Sequence, residues 1–160
     1  MMSDKQQKKK VFGFIIQPNN DGDNSLLVYH CVPGVQFRFV GGNVDPGEEL
    51  IDALFREIYE ESGLNDLTIV KKLGVQNYYK EYIDANVERH DYLLVSDKDL
   101  PLNWEHKCSG EGGDNGEIFK YQWITVDEID KVDEEFRNDI REGYYRDIFE
   151  GKLEEGMSIR

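Results

Sequence analysis

The sequence is poor in the features that mark many protein classes. Among 160 residues it has two cysteines, Cys31 and Cys108, at no spacing that ligates a metal. With no export signal ahead of them, they are expected as reduced thiols of a cytoplasmic protein rather than as a disulfide. No stretch approaches the roughly 18 apolar residues of a membrane helix, so no span is expected. Met1 to Lys10 holds four lysines and no apolar core of signal-peptide length. Positive charge is scarce as well: 19 Lys and Arg stand against 33 Asp and Glu, a net charge of −14. Phosphate backbones demand clustered Lys and Arg, so this balance argues against a nucleic-acid binder.

What is present fits one globular domain. The chain is 39% hydrophobic and 32% charged, which is ordinary for such a fold, and long enough for a layered core. No repeat, linker or low-complexity segment interrupts it. A single domain is expected over residues 9–155, behind a disordered, solubilising tail over residues 1–8.

Local patterns supply the elements. Val11 to Ile16 reads as a short buried strand, Asn19 to Asn24 as a turn cluster, and Ser25 to Cys31 as the returning strand. Phe37-Arg38-Phe39-Val40 alternates and feeds Gly41-Gly42. Thr68 to Tyr79 and Val87 to Val95 read as a hairpin. Ile118 to Ile124 is a further strand behind the Asn115-Gly116 turn. Val126 to Lys131 starts a helical turn. Glu134 to Phe149 reads as an amphipathic helix, with Phe136, Ile140, Tyr144 and Ile148 near helical spacing. Strands with one central and one terminal helix suggest a mixed sheet sandwiched between helices.

The most informative segment is residues 42–64. Leu50, Leu54 and Ile58 recur every four residues and line one helical stripe. Gly63 ends the helix, and Asp45 with Glu48 is expected to form a capping box at its start. Glu57, Glu60 and Glu61, at i, i+3 and i+4, bring three carboxylates onto one patch. Such a patch is repulsive unless a cation sits in it, and oxygen donors on a helix suit magnesium or manganese better than zinc. The bland alternative is a solvated acidic helix face.

Gly42, Glu48, Arg56, Glu57, Ile58, Glu60, Glu61, Gly63 and Leu64 together resemble the signature of the Nudix (MutT-like) hydrolases, with no departure from its pattern. At average residue usage a chance match has a probability of roughly 10⁻⁹ per start. The resemblance implies an α/β/α sandwich with a mixed sheet and a signature loop–helix–loop. It implies a Mg²⁺-dependent pyrophosphohydrolase (Mn²⁺ being possible) that cleaves a nucleoside diphosphate linked to another moiety. A dinucleoside-polyphosphate hydrolase and a non-catalytic ligand-binding module are the alternatives. The implied partner is a small nucleotide-like diphosphate, with neither nucleic acid nor membrane, for a monomer or homodimer.

The resemblance also assigns residues. Glu57, Glu60 and Glu61 are the implied metal ligands, with Glu60 or Glu61 acting also on the attacking water. Arg56 and Glu48 are expected to support each other and hold the loop to the helix, with direct phosphate contact by Arg56 as the alternative. Gly41 and Gly42 are candidates for letting backbone approach the substrate. A further carboxylate is expected from the glycine-rich loop Ser109 to Glu117: Glu117 is the choice as base, and Glu111 the alternative. Tyr82 falls where dinucleoside-polyphosphate hydrolases tend to have a tyrosine, whereas Lys80 replaces the proline typical of ADP-ribose hydrolases. His90 reads as a surface strand residue, and Trp104 and Trp123 as core aromatics.

Overall fold

The computed structural model describes residues 6–20, 22–31, 34–109, 116–137 and 143–150. Its strands are β1 (Gln6–Pro18), β2 (Asn24–His30), β3 (Val40–Asn43), β4 (Leu67–Lys80), β5 (Ala85–Ser96), β6 (Asn103–Lys107) and β7 (Ile118–Ile124). Helix α1 (Leu50–Ser62) follows β3, and α2 (Tyr144–Phe149) closes the described chain. The seven strands form one sheet in the order β4-β5-β1-β2-β7-β6, with β3 paired to β1 off this path. The β1–β5 ladder is parallel and the others antiparallel, so the sheet is mixed.

The apolar run at the centre of β1 is buried on both faces, as a central strand requires. Val11 and Ile15 face α1 and pack with its Ala53, Leu54 and Ile58. Phe12, Phe14 and Ile16 face the other way, onto Phe39, Phe136, Tyr144 and Ile148. Burying one such side chain is worth about 1.5–3 kcal/mol, so each face carries a large part of the stability. The result is the α/β/α sandwich that the element order suggests. Because β1 meets β2 only from Ile16 onward, β3 occupies the flank of its first half, at Lys10 to Gly13. That placement brings the Gly41-Gly42 pair beside α1.

Three expectations are corrected. The tail assigned to residues 1–8 overlaps β1, because Gln6 to Lys8 pair in parallel with Ala85 to Val87. Backbone pairing needs no apolar side chain, so a lysine-rich segment joins the sheet. The helix expected over Glu134 to Phe149 is not continuous: a 3₁₀ turn spans Glu134–Phe136, and α2 begins only at Tyr144. Gly143, at φ 82°, turns the chain left-handed just before α2. Ile140 lies outside the described residues, while Phe136, Tyr144 and Ile148 are buried as their spacing suggested. Third, β6 was not foreseen. It is a five-residue strand paired on one side only, and of its residues only Trp104 is a large apolar one.

Candidate active site

The segment between β3 and α1 is fixed by a tight turn. Glu48 N–H donates to the Asp45 carbonyl at 3.0 Å, with Pro46 and Gly47 (φ 78°) between them, the arrangement of a type II turn. Glu48 Oε1 in turn accepts from Asp45 N–H at 3.0 Å. This is half of the expected capping box, but it caps the turn and not the helix. The residue before α1 is Glu49, which makes no side-chain cap. At the other end Gly63 is left-handed (φ 79°) and its N–H bonds to the Tyr59 carbonyl, as expected.

Arg56 ties this turn to the helix. Its Nε donates to Glu48 Oε2 at 2.8 Å and its Nη2 to Glu48 Oε1 at 2.9 Å, a parallel fork that a lysine has no geometry to copy. Nη2 also donates to the Asn43 carbonyl at 2.9 Å, so the end of β3 is held as well. The bond from Arg56 and that from Asp45 N–H hold the Glu48 carboxyl down at about 2. On its far side, Arg56 Nη1 lies 3.4 Å from Glu60 Oε1 and 3.6 Å from Glu57 Oε1. The cation that offsets the repulsion on this helix face is therefore Arg56 itself.

Glu61 is held differently. It is 7% exposed, and its Oε1 accepts from Gly41 N–H at 3.0 Å. Its backbone carbonyl accepts from the hydroxyl of buried Tyr121 at 2.8 Å. Gly42 makes room for the Glu57 carboxylate, and Gly41 for the neighbouring backbone of β1. A Cβ on Gly42 would stand 2.3 Å from Glu57 Oε2, and one on Gly41 would stand 2.1 Å from the Val11 carbonyl. Gly41 and Gly42 thus form a cradle that only glycine permits.

Glu57, Glu60 and Glu61 share one flank of α1 but are not gathered into a cage. Among the described residues, no three His, Cys, Asp or Glu side chains are grouped so as to hold a metal ion. The donor set nonetheless fits a hard divalent cation, being all carboxylate and backed by the glycine cradle.

The β6–β7 loop reaches the same helix end. Ser109 N–H donates to the Glu60 carbonyl at 3.0 Å, and Cys108 N–H donates to the Glu117 carbonyl at 2.7 Å. Backbone contacts therefore carry Glu117 to the neighbourhood of Glu60, with its own side chain exposed. Glu111 and Asn115 lie outside the described residues. Tyr82 is 93% exposed in the Glu81–Ile83 turn between β4 and β5, and no hydrogen bond joins it to the signature. Tyr79 is bonded to Asp84 at 2.6 Å and Tyr78 to Glu135 at 2.6 Å. His90 departs from its expected surface position. It is buried, with Nε2 2.6 Å from Glu88 Oε2, because it faces the α1 side of β5. Trp104 and Trp123 pack against the α1-side core, as read from the sequence. Trp104 stacks on Tyr121 with ring centroids 4.9 Å apart and donates to the Ser62 carbonyl at 3.2 Å. Tyr121 was missed as a support for Glu61, since nothing in its local sequence marks it.

The family model described as the NUDIX domain matches residues 8–146. The chain belongs to the Nudix family. Nudix hydrolases act on phosphoanhydride bonds, and the relatives found are named accordingly. An RNA pyrophosphohydrolase of Bartonella bacilliformis is 23% identical over 114 residues, which covers 65% of this chain and 66% of that protein, just under two thirds of its length. The MutT protein of Methanosarcina mazei Go1 superposes with a TM-score of 0.55 at 19% identity, over 94% of this chain and 95% of that one. The Ap4A hydrolase of C. elegans gives a TM-score of 0.53 at 20% identity, over 79% and 86% of the two chains. At these identities the solved structures show the shared fold. Among the described residues, no helix of this Nudix protein is long and apolar enough to cross a membrane.

Proposed function

We propose that the chain is a magnesium- or manganese-dependent pyrophosphohydrolase of nucleotide-like diphosphates. The observation that carries this reading is the meeting of the α1 glutamates with the glycine cradle. Glu61 bonds to Gly41 N–H at 3.0 Å, and the space over Gly42 is filled by the Glu57 carboxylate. Glu57, Glu60 and Glu61 are the residues that would hold the cation. When bound, it would neutralise charge on the diphosphate and make water more acidic.

The chain's own residues do the rest. Arg56, fixed by its fork to Glu48 and its bond to the Asn43 carbonyl, keeps the turn, β3 and α1 in one geometry. It acts as a positioning residue and shields Glu57 and Glu60 from each other. Gly41 and Gly42 are proposed to seat the glutamates beside the phosphates: Gly42 admits the Glu57 carboxylate where a Cβ would stand, and Gly41 gives its N–H to Glu61. Glu117, exposed beside the Glu60 end of α1, is the proposed acceptor of the proton from the attacking water. Tyr82, free of core packing at the hairpin tip, is the proposed platform for a base. A cytoplasmic location and a monomeric or dimeric state complete the reading.

The test is release of phosphate or pyrophosphate from a panel of nucleoside triphosphates, dinucleoside polyphosphates, nucleotide sugars and ADP-ribose. An RNA with a terminal triphosphate belongs in the panel, because the Bartonella bacilliformis relative is named an RNA pyrophosphohydrolase. Metal-dependent turnover of at least one member is expected. No turnover of any member, with magnesium binding absent by calorimetry, would favour a ligand-binding module.

A further inference from the structure

Helix α1 keeps two of its glutamates at the end where its dipole resists them. Glu60 and Glu61 stand in the last turn, which has no basic side chain, and a helix C-terminus disfavours carboxylates. The same end leaves the four carbonyls of residues 59–62 without a partner inside the helix. That of Tyr59 accepts from the Gly63 N–H at 2.9 Å. The other three are served from outside, each by a different group of the β6–β7 hairpin. Ser109 N–H donates to the Glu60 carbonyl at 3.0 Å, the Tyr121 hydroxyl to the Glu61 carbonyl at 2.8 Å, and Trp104 Nε1 to the Ser62 carbonyl at 3.2 Å.

All three donors are neutral, which matters at this place. A lysine or arginine over the last turn would satisfy the same carbonyls, but it would also pair with Glu60 and Glu61 and compete with a divalent cation for them. An amide, a phenol and an indole cap the carbonyls and leave the carboxylates to the metal. The two side chains are well braced. Tyr121 is buried, and burial pushes its hydroxyl well above the ordinary value, so it stays a donor. Trp104 lies flat on it, with ring centroids 4.9 Å apart and planes within 12°. Glu61 is thereby held at both ends, its carbonyl by Tyr121 and its Oε1 by Gly41 N–H at 3.0 Å. The same hairpin carries Glu117, whose carbonyl accepts from Cys108 N–H at 2.7 Å. One edge unit of the sheet therefore holds both the α1 glutamates and the proposed proton acceptor.

We propose that Tyr121 and Trp104 are positioning residues of the active site: through the carbonyls of the last α1 turn they set where Glu60 and Glu61 stand relative to the Gly41 cradle and to Glu117. This rests on the pyrophosphohydrolase reading and adds to it two residues that act through α1. Their hairpin is a gauge between the two parts of the site. Misplacing reacting groups by about 1 Å costs on the order of 10²-fold in rate, so the gauge acts on turnover.

The test compares Tyr121→Phe and Trp104→Phe, each of which keeps an aromatic ring and removes one donor, with Trp123→Phe. Trp123 gives its indole N–H to the Pro101 carbonyl at 2.9 Å and so controls for the loss of an indole bond that does not reach α1. Amide hydrogen exchange is read first, on the full chain in excess chelator and without substrate. The Gly41 amide is expected to exchange about tenfold faster in Tyr121→Phe, as for loss of one hydrogen bond, and by a smaller factor in Trp104→Phe. Both factors are taken beyond any change at Phe14 and Ile15, whose amides in the core of β1 report global unfolding. With magnesium and the best substrate, both variants should lower kcat by about tenfold or more and leave KM within about twofold. Trp123→Phe should match wild type in both readouts. Should Tyr121→Phe not fold, Trp104→Phe carries the comparison. A Gly41 amide that changes only in step with Phe14 and Ile15, a kcat equal to wild type, or an equal loss in Trp123→Phe would overturn the proposal and leave the hydrolase reading standing. If wild type turns over no substrate, the hydrolase reading fails, while exchange at Gly41 still decides whether the hairpin holds Glu61.

Discussion

The two faces of the sheet carry opposite charge and were assembled in opposite ways. On the α1 face, Glu48, Arg56, Glu57, Glu60 and Glu61 come from one short segment, and an acidic patch is steadied by a single guanidinium. On the other face, Lys10, Arg38, Lys80, Arg89 and Glu135 come from distant parts of the chain, and a basic cluster is steadied by a buried carboxylate. Burial pushes the Glu135 carboxyl up, yet Arg38, Tyr78 and Lys80 outweigh it and hold it at about 2. The difference teaches where information resides. Chemistry built from local spacing shows in the sequence, and chemistry built by strand register does not.

Removing charge on the acidic side should act on rate and hardly on folding. Glu60→Gln or Glu61→Gln is expected to lower turnover by roughly 10³-fold or more, the effect of losing one key electrostatic group. Circular dichroism should show an intact fold. Near-normal rates in both variants, across the substrate panel, would remove these residues from the metal site.

The basic side should behave the other way. Arg89→Met leaves the Asp91 carboxylate buried without its cation, held among the described residues only by the Tyr144 hydroxyl at 3.0 Å, and such a loss costs about 3–5 kcal/mol. Urea unfolding of this variant is expected to show that loss, which would also loosen the turn that Arg89 holds at Glu135. A loss below about 1 kcal/mol, on the scale of an exposed pair, would show that the cluster does not prop this turn.

The loop offers a smaller effect on rate. Glu117→Gln should cut turnover by about 10²-fold or more with metal affinity little changed, as for a general base acting in the transition state. Glu111→Gln should do little. Equal small effects from both would move the base to Glu60 or Glu61.

The smallest effect concerns the fork that ties the turn to the helix. The folded Glu48 carboxyl is lowered from 4.5 to about 2, so its contribution is fully present above pH 4.5 and lost as pH falls toward 2. Glu48→Gln is expected to cost about 1–2 kcal/mol at neutral pH, the range for a forked ion pair only partly exposed. The gap to wild type should narrow across that acid window, as measured by unfolding at each pH. A gap that stays constant from pH 6 to pH 2 would mean that the fork adds nothing to stability.

How far the sequence could be read follows from the same contrast. The strand at Val11, the hairpin from Thr68 to Val95 and the helix from Leu50 are marked by local periodicity, and all three stand in the fold. The Arg56–Glu48 fork was legible because its spacing lies within one turn and one helix. Gln6 to Lys8 were misread because their place is set by the β5 backbone. The strand at Asn103–Lys107 was missed because an edge strand with one large apolar side chain carries almost no pattern. The terminal helix was overextended because the helical spacing of Phe136, Tyr144 and Ile148 persists across Gly143, where the chain turns. Lys10 is one of four lysines among the first ten residues, and nothing local marks it. Only pairing with Asn43 on one side and Arg89 on the other shows that it belongs to a cluster.

The central claim is that the α1 glutamates serve a divalent cation in phosphoanhydride hydrolysis. Its most direct test is turnover of the best substrate from the panel, measured with magnesium and again in excess chelator. Activity that falls to the uncatalysed rate with chelator, and returns when magnesium or manganese is restored, is the expected result. Full turnover in excess chelator would contradict it.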